Sequence, residues 1–266
     1  MRDILEEIIE RKRIEVQQQK EALPPKALYA EVERIMQTSS IKRSMSGSIA
    51  ESPYGIIAEF KRKSPSKGWI HEDSKVEDVV PLYAANGASA LSILTDEFYF
   101  GGSMEFVKRV RGMVQTPILR KDFIIDEYQL FQAKKIGADA VLLIAAALPL
   151  TAYKSLLHTA HELGLEVLLE THSTSELDYA DTPVDMVGVN NRNLGTFHTD
   201  VENSFRMAEM LPKERIKVSE SGISRAETIR QLRSAGFNGF LIGENFMKEG
   251  NPGLALKNFI AEIEGK

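Results

Sequence analysis

The 266-residue chain has no cysteine, which excludes a disulfide scaffold, thiolate metal sites and a cysteine nucleophile or base. Its chemistry must rest on Lys, Glu, Asp, Ser or His. An excess of positive charge is also missing: 33 basic residues against 38 acidic ones give a formal charge of -5, without the basic bias that duplex nucleic acid rewards. A nucleic-acid partner is therefore not expected. The most apolar run, AVLLIAAALPL from Ala140, has about half of the ~20 residues a bilayer span needs and is closed by Pro149. In the N-terminal MRDILEEIIERKRIEVQQQK, charges interrupt the apolar residues every three or four positions, unlike the unbroken core of a signal peptide. A cytoplasmic protein with no membrane attachment is expected. What the chain does have is 43% hydrophobic and 27% charged residues, enough apolar surface for an ordinary globular core.

Residues 1–50 differ in texture from the rest. Two amphipathic helical patterns, Arg2 to Glu21 and Lys26 to Met36, are separated by Pro24 and Pro25, and the Ser-rich TSSIKRSMSGS at 38–48 reads as a linker. This N-terminal helical extension is expected to be an appendage without a core of its own, before a domain over 51–266. From Gly55 onward, short β-rich apolar runs alternate with amphipathic stretches, the pattern of βα units on a parallel sheet. Eight strands are predicted: GIIAEFKR (55–62), ALSILTD (90–96), PILRKDF (117–123), AVLLIAA (140–146), LEVLLETH (165–172), MVGVNNRN (186–193), IKVSESGI (216–223) and GFLIGEN (239–245). Several intervening helices close on a glycine just before the next strand, in GADAV, LGLEV and AGFNG, as a C′ glycine should. Pro81 in KVEDVVPLYAANG should kink the first of them or end its first turn. Eight units in this length predict an α/β fold, the (β/α)8 TIM barrel. A doubly wound sheet is the alternative, but neither GxGxxG nor GxxxxGK[ST] occurs.

A barrel carries its active site at the C-terminal ends of its strands, and here those ends are charged. Strand one delivers Glu59, Lys61 and Arg62, strand three Lys121 and Asp122, and strand five Glu170 and His172. Strand six supplies Asn190, Asn191 and Arg192, and strand seven Ser219, Glu220 and Ser221. Alternation puts Ile57, Glu59 and Lys61 on one face. One or two such charges could close a barrel as salt bridges, but five strands ending this way cost too much desolvation for structure alone. A second cluster, ESGIS at 220–224 and FLIGEN at 240–245, could cradle a phosphate with the backbone amides of Ser221, Gly222, Gly243 and Glu244, at the usual phosphate position of such barrels. The plainer alternative is that these glycines only make βα turns.

AEFKRKSPSKG (58–68), LTDEFYFGGS (94–103), PILRKDFI (117–124), GADAVLLI (137–144), VGVNNRNL (187–194), VSESGIS (218–224) and FLIGENFM (240–247) resemble, in order and over nearly the whole chain, the indole-3-glycerol phosphate synthase family. KRKSPSKG and RKDF are the specific segments; ESGI and GADAVLL are shared with other phosphate-binding barrels. The resemblance implies closure of the indole ring of 1-(2-carboxyphenylamino)-1-deoxyribulose 5-phosphate with loss of CO2 and water, and no cofactor or metal. It implies Lys121 as general acid and Glu170 as general base. Lys61 would join the carboxylate and proton-transfer network, and Glu59 would orient the lysines. Asn190 and Arg192 would meet the substrate near its carboxylate and hydroxyls. Ser64, Glu220 and Ser221 would line the pocket, and Phe100 and Phe123 would pack the anthranilate ring. Ser221, Gly222, Gly243 and Glu244 would hold the phosphate. Arg120, if close, could lower the pKa of Lys121. One departure is Glu244-Asn245 where some members carry small hydroxyl residues, so Glu244 is expected to offer its backbone N–H with the carboxylate turned away.

His158 and His161, three residues apart on a predicted helix, read as ordinary surface without a third metal ligand, while His172 could lean over the pocket. Trp69 and Tyr99 read as packing residues near the mouth. Three rival functions stand beside the main one. Phosphoribosylanthranilate isomerase typically uses a cysteine base, absent here, and the tryptophan synthase α subunit lacks KRKSPSKG and RKDF. A decayed, non-catalytic phosphate-ligand-binding barrel should have lost some of Glu59, Lys61, Lys121 and Glu170. A small anionic substrate is the expected partner, with no obligate protein partner.

Overall fold

Eight parallel strands close on themselves in sequence order: β1 (Ile56–Phe60), β2 (Ala90–Leu94), β3 (Ile118–Lys121), β4 (Ala140–Ile144), β5 (Glu166–Thr171), β6 (Met186–Asn190), β7 (Ile216–Glu220) and β8 (Gly239–Ile242), with β8 pairing back onto β1. The computed structural model describes residues 4–38, 43–193 and 195–266. The (β/α)8 barrel expected from the repeated βα pattern is the observed fold, and the doubly wound alternative is not. Each strand stops one to three residues short of its predicted end, because the motif residues that follow leave the sheet and form the βα loops. Register brings the charged ends level: Glu59 pairs with Ser92, Leu94 with Lys121, Ile144 with Glu170, and Asn190 with Glu220.

Local chemistry explains the helices that separate the strands. The helix Glu127–Ile136 begins in a capping box, with the Asp126 side chain on the backbone and Gln129 reaching back, and ends at Gly137 with φ of 87°. Gly164 and Gly236, also read as helix stops, have φ of 65° and 93°. The helix Val76–Ala85 runs through Pro81 without ending there.

The N-terminal extension is not an appendage. It comprises α1 (Ile4–Ala22), α2 (Pro25–Thr38) and α3 (Met45–Glu51), and it covers the barrel from mouth to base. At the mouth, the buried Lys12 of α1 lies 2.9 Å from Asp96 and 3.0 Å from Asp122, on the loops after β2 and β3. Along the flank, α2 buries Leu28 and Val32, and Tyr29 stacks on Phe131 with ring centroids 3.8 Å apart. At the base, α3 occupies part of the segment expected as a linker; residues 39–42 of that segment lie outside the described residues. Met45 and Ile49 of α3 sit in one apolar cluster with Ile57, Leu119, Leu168 and Val218 from inside the barrel. The Glu166 carboxylate at the start of β5 accepts from the backbone N–H of Met45 (2.6 Å) and of Ser46 (2.9 Å), which binds an anion to the first turn of this helix.

Candidate active site

Lys121 is the hub of the barrel mouth. Its Nζ lies 3.2 Å from Glu59 Oε2 and donates to Glu220 Oε2 at 3.0 Å, and Glu59 Oε1 lies 2.9 Å from the ammonium of Lys61. Glycine makes two of these positions possible: a Cβ on Gly243 would lie 2.4 Å from Glu59 Oε1, and one on Gly188 would lie 2.3 Å from Glu220 Oε1. Alternation turns Arg120 the other way, into the wall, where it donates to the Gln129 carbonyl at 2.7 Å and to Asp122 at 2.9 Å.

Charge sharing sets the protonation states. Burial alone would lower the pKa of Lys121, but Glu59, Glu220 and Glu170 outweigh it and hold the ammonium above its ordinary value. The expectation that Arg120 lowers it is therefore overturned, since Arg120 is turned away and the facing groups are carboxylates. Burial pushes Glu59 up, yet Lys121 and Lys61 bring it down to about 2. Glu170 is likewise raised by burial and pulled below its ordinary value by His172, Lys121 and Asn190. Glu220, fully buried, stays raised at about 7, because burial and the Glu170 charge together exceed the pull of Lys121. The site thus holds two ready carboxylates, one carboxyl poised near neutrality and two ammonium groups.

Two adjoining clefts open on this cluster. One, of about 780 Å³, is bordered by Leu94, Phe100, Phe123, Leu142, Ile144 and Glu170, and is roofed by Leu5 and Ile8 of α1. Phe100 and Phe123 pack on each other with centroids 5.9 Å apart and planes tilted by 37°, an aromatic wall against which a flat ring can pack. The other, of about 1080 Å³, is bordered by Ser221, Gly222, Gly243, Glu244, Lys67 and Lys248. Ser221 and Gly222 both take left-handed backbone, with φ of 69° and 77°, and for Ser221 that strain costs on the order of 1 kcal/mol. Asn191 stabilises the turn by donating its Nδ2 to the Ser221 carbonyl at 3.1 Å. Lys61, Lys121 and Arg192 border both clefts.

Most of the anticipated residues converge here, with three corrections. Ser64 does not border either cleft; it is buried in the short hairpin Lys63–Ser64 and Gly68–Trp69, and its neighbours Pro65 and Ser66 face the clefts instead. The Glu244 carboxylate does not turn away: it lies 3.7 Å from Lys67 Nζ and 3.7 Å from Arg192 Nη2, drawn in by two cations that a phosphate would otherwise meet. Glu220 is placed beneath Lys121 rather than along a cleft wall. His172 leans on Glu170, with Nε2 3.2 Å from Glu170 Oε1, but borders neither of the two clefts. His158 and His161 sit on the barrel's outside beside Glu162 and Asp185. Trp69 and Tyr99 pack around the mouth loops, where the Tyr99 hydroxyl donates to Glu7. Sequence reading missed Leu5, Ile8 and Lys67; the last stands inside KRKSPSKG, where its basic character was the available signal.

Comparison with known proteins decides the family. The family model described as indole-3-glycerol phosphate synthase matches residues 5–259. The chain belongs to the indole-3-glycerol phosphate synthase family. An indole-3-glycerol phosphate synthase from Bacteroides thetaiotaomicron is 58% identical over 99% of this chain and 100% of its own length. One from Chromobacterium violaceum is 42% identical over 96% of this chain and 97% of its own. Among solved structures, a mutant tryptophan synthase α subunit from Pyrococcus furiosus superposes with a TM-score of 0.61 at 17% identity, covering 80% of this chain and 98% of that one. That likeness is one of barrel fold.

Proposed function

We propose that this barrel converts 1-(2-carboxyphenylamino)-1-deoxyribulose 5-phosphate to indole-3-glycerol phosphate, CO2 and water, with the residues around Lys121 as its machinery. The single observation that carries the reading is the position of Lys121, bridging Glu59 and Glu220 at the junction of an apolar cleft and a cleft lined by basic residues. An amphipathic substrate with an aromatic acid at one end and a phosphate at the other fits such a divided site.

In this reading the anthranilate ring packs against Phe100 and Phe123, and its carboxylate meets Lys61 and Arg192, the latter suited to bidentate binding. The phosphate takes the backbone of Ser221, Gly222, Gly243 and Glu244. Lys121 donates its proton to the ribulose carbonyl oxygen as the ring carbon attacks, and the ammonium also steadies the charge that develops there. Loss of CO2 leaves the ring carbon neutral. A second proton then turns the new hydroxyl into water while Glu170 removes one proton to complete the indole. Two protons are delivered and one removed, so each turnover takes one proton from solvent. Glu59 joins Lys61 and Lys121, so the two ammonium groups serve as one reservoir for both deliveries. Asn190 orients Glu170, and Glu220 tunes Lys121 from below.

The same proposal has the enzyme working in the cytoplasm on a small anionic substrate, without nucleic acid, obligate protein partner, cofactor or metal. It is supported by the acidic balance of the chain and by the basic character of the cleft. Among the described residues, no helix is long and apolar enough to cross a membrane. The test is indole fluorescence after adding purified protein to the substrate with EDTA present. A rise in emission, abolished in Lys121→Met and Glu170→Gln proteins that still fold, is the expected result. Folded wild-type protein that binds the substrate without any rise would overturn the enzymatic reading in favour of a binding barrel.

A further inference from the structure

Glu170 is almost entirely buried, so a proton it takes from the substrate needs a route to water before the next turnover. Two residues on, where the chain leaves β5, His172 places its ring beside that carboxylate, with Nε2 at 3.2 Å from Oε1. The other ring nitrogen, Nδ1, lies 3.9 Å from Glu176 Oε2. The backbone on which the ring is mounted is anchored twice: the His172 N–H donates to Glu176 Oε2 at 2.6 Å, and Asn203 donates to the His172 carbonyl at 3.1 Å. Neither ring nitrogen makes an aligned hydrogen bond among the described residues. The imidazole is therefore positioned by its backbone, with both nitrogens buried from solvent and neither committed to an aligned hydrogen bond.

His172 also stands on a boundary. Glu170 borders the apolar cleft where the ring would bind, whereas His172 borders a separate polar cleft with Asn191, Asn203, Asp200 and Arg206, and does not border the first. Asn190 and Arg192 are shared by both. We propose that His172 is a proton relay that carries the proton taken up by Glu170 out of the reaction cleft and into this second cleft, and so restores the base between turnovers.

The step balances without a co-reactant. The Glu170 O–H bond breaks as a proton moves to Nε2 of a neutral imidazole; the imidazolium then gives its Nδ1 proton to Glu176, whose partly exposed carboxyl passes it to water, and ring rotation or a tautomer exchange restores the starting form. The groups facing the ring favour this traffic. Burial disfavours the imidazolium, but Glu170 on β5, Glu176 on the following turn and Glu220 on β7 together raise its pKa above the ordinary 6.5. On the side of the second cleft, Asp200 and Arg206 lie 3.2 Å from each other. An imidazole held between carboxylates has a proton donor on one side and an acceptor on the other.

The proposal rests on the assignment of Glu170 as base, and the test separates the two. His172→Ala is expected to lower kcat by about 10- to 100-fold, part of the roughly 10²- to 10⁴-fold that a positioned acid or base contributes, with KM nearly unchanged. Added imidazole should restore kcat in proportion to the concentration of its neutral form, while leaving wild-type kcat unaffected. His172→Asn, which refills space and hydrogen bonds but carries no proton near neutrality, should stay slow without imidazole. A purely structural role predicts the reverse: recovery in His172→Asn and no response to imidazole, and either result overturns the relay. Unchanged turnover in His172→Ala beside an inactive Glu170→Gln would overturn the relay and leave the base standing; an active Glu170→Gln would overturn both.

Discussion

Gly188 of β6 and Glu220 of β7 face each other so closely that a Cβ on the glycine would lie 2.3 Å from Glu220 Oε1. The absent side chain at 188 is what gives the buried carboxyl its place beneath Lys121. Gly188→Ala should fold, because the nearest fixed backbone atom, the Leu169 carbonyl oxygen, stays at 3.3 Å and the carboxyl end of Glu220 can yield. Turnover should fall by about 10²-fold, the penalty for an ångström-scale shift in a group that positions Lys121. Steady-state kinetics beside circular dichroism would check this; unchanged kcat would show that the position of Glu220 does not matter.

Glu220 carries a second consequence. Its pKa in the folded protein is raised to about 7 from an ordinary 4.5. Below pH 4.5 it is protonated whether folded or unfolded and contributes nothing. Between pH 4.5 and about 7 the unfolded chain loses the proton while the folded one keeps it, so stability falls across that window and stays reduced above it. Glu220→Gln removes this penalty and still offers Lys121 an acceptor. At pH 8 the variant should be more stable than wild type by roughly 1–3 kcal/mol, with no gain at pH 4. Its activity should drop, and urea melts at the two pH values would reveal an equal gain at both if the titration were irrelevant.

Lys12 shows the opposite balance. Its ammonium lies beside Glu15, Asp96 and Asp122 at 2.8, 2.9 and 3.0 Å, and burial, which raises Asp122, is overcome by Lys12 and Arg120 so that this carboxyl lies well below its ordinary 3.8. Removing one partner of a buried ion pair leaves the others uncompensated, and Lys12→Met should cost about 3–5 kcal/mol. The sign with pH is fixed: a lowered carboxyl stabilises above pH 3.8, and that stability is lost as pH falls through its folded value. The variant should therefore lose its advantage over acid earlier, unfolding at a higher pH than wild type. KM should rise as well, since α1 also carries Leu5 and Ile8 over the apolar cleft. Acid titration followed by tryptophan fluorescence at Trp69 would detect the shift, and coincident acid midpoints would dismiss the clamp.

The eight strands were legible because each is a short apolar run bracketed by turn residues, and the charged ends were legible because alternation carries Glu59 and Lys61 to the same face. The third N-terminal helix was not. Met45 and Ile49 are too few apolar residues to mark a helix in a Ser-rich stretch, and the carboxylate that caps it, Glu166, lies 121 residues from Met45 in sequence. Arg120 and Lys121 show the same limit at the site: RKDF supplies both cations side by side, and only the pleat of β3 decides that one enters the wall and the other the cleft. Gly188 passed unnoticed within MVGVNNRN because its importance belongs to Glu220 on the next strand.

Glu244 was expected to avoid the phosphate cleft, and its carboxylate instead lies 3.7 Å from both Lys67 and Arg192. The cause is simple Coulomb attraction in a cleft that holds more cations than anions near its rim. An arriving phosphate must displace this carboxylate or share its partners. Because Glu244 is about one-third exposed (37%), solvent screens the pairing, and its loss is worth about 0.2–1 kcal/mol. Glu244→Ala should then lower KM for substrate and the inhibition constant of inorganic phosphate together, by up to about fivefold, with little change in kcat. The effect should shrink as ionic strength rises, since added salt weakens exposed ion pairs. If both constants instead rose, the carboxylate would be holding Arg192 and Lys67 in place for the substrate rather than occupying the phosphate's share of them.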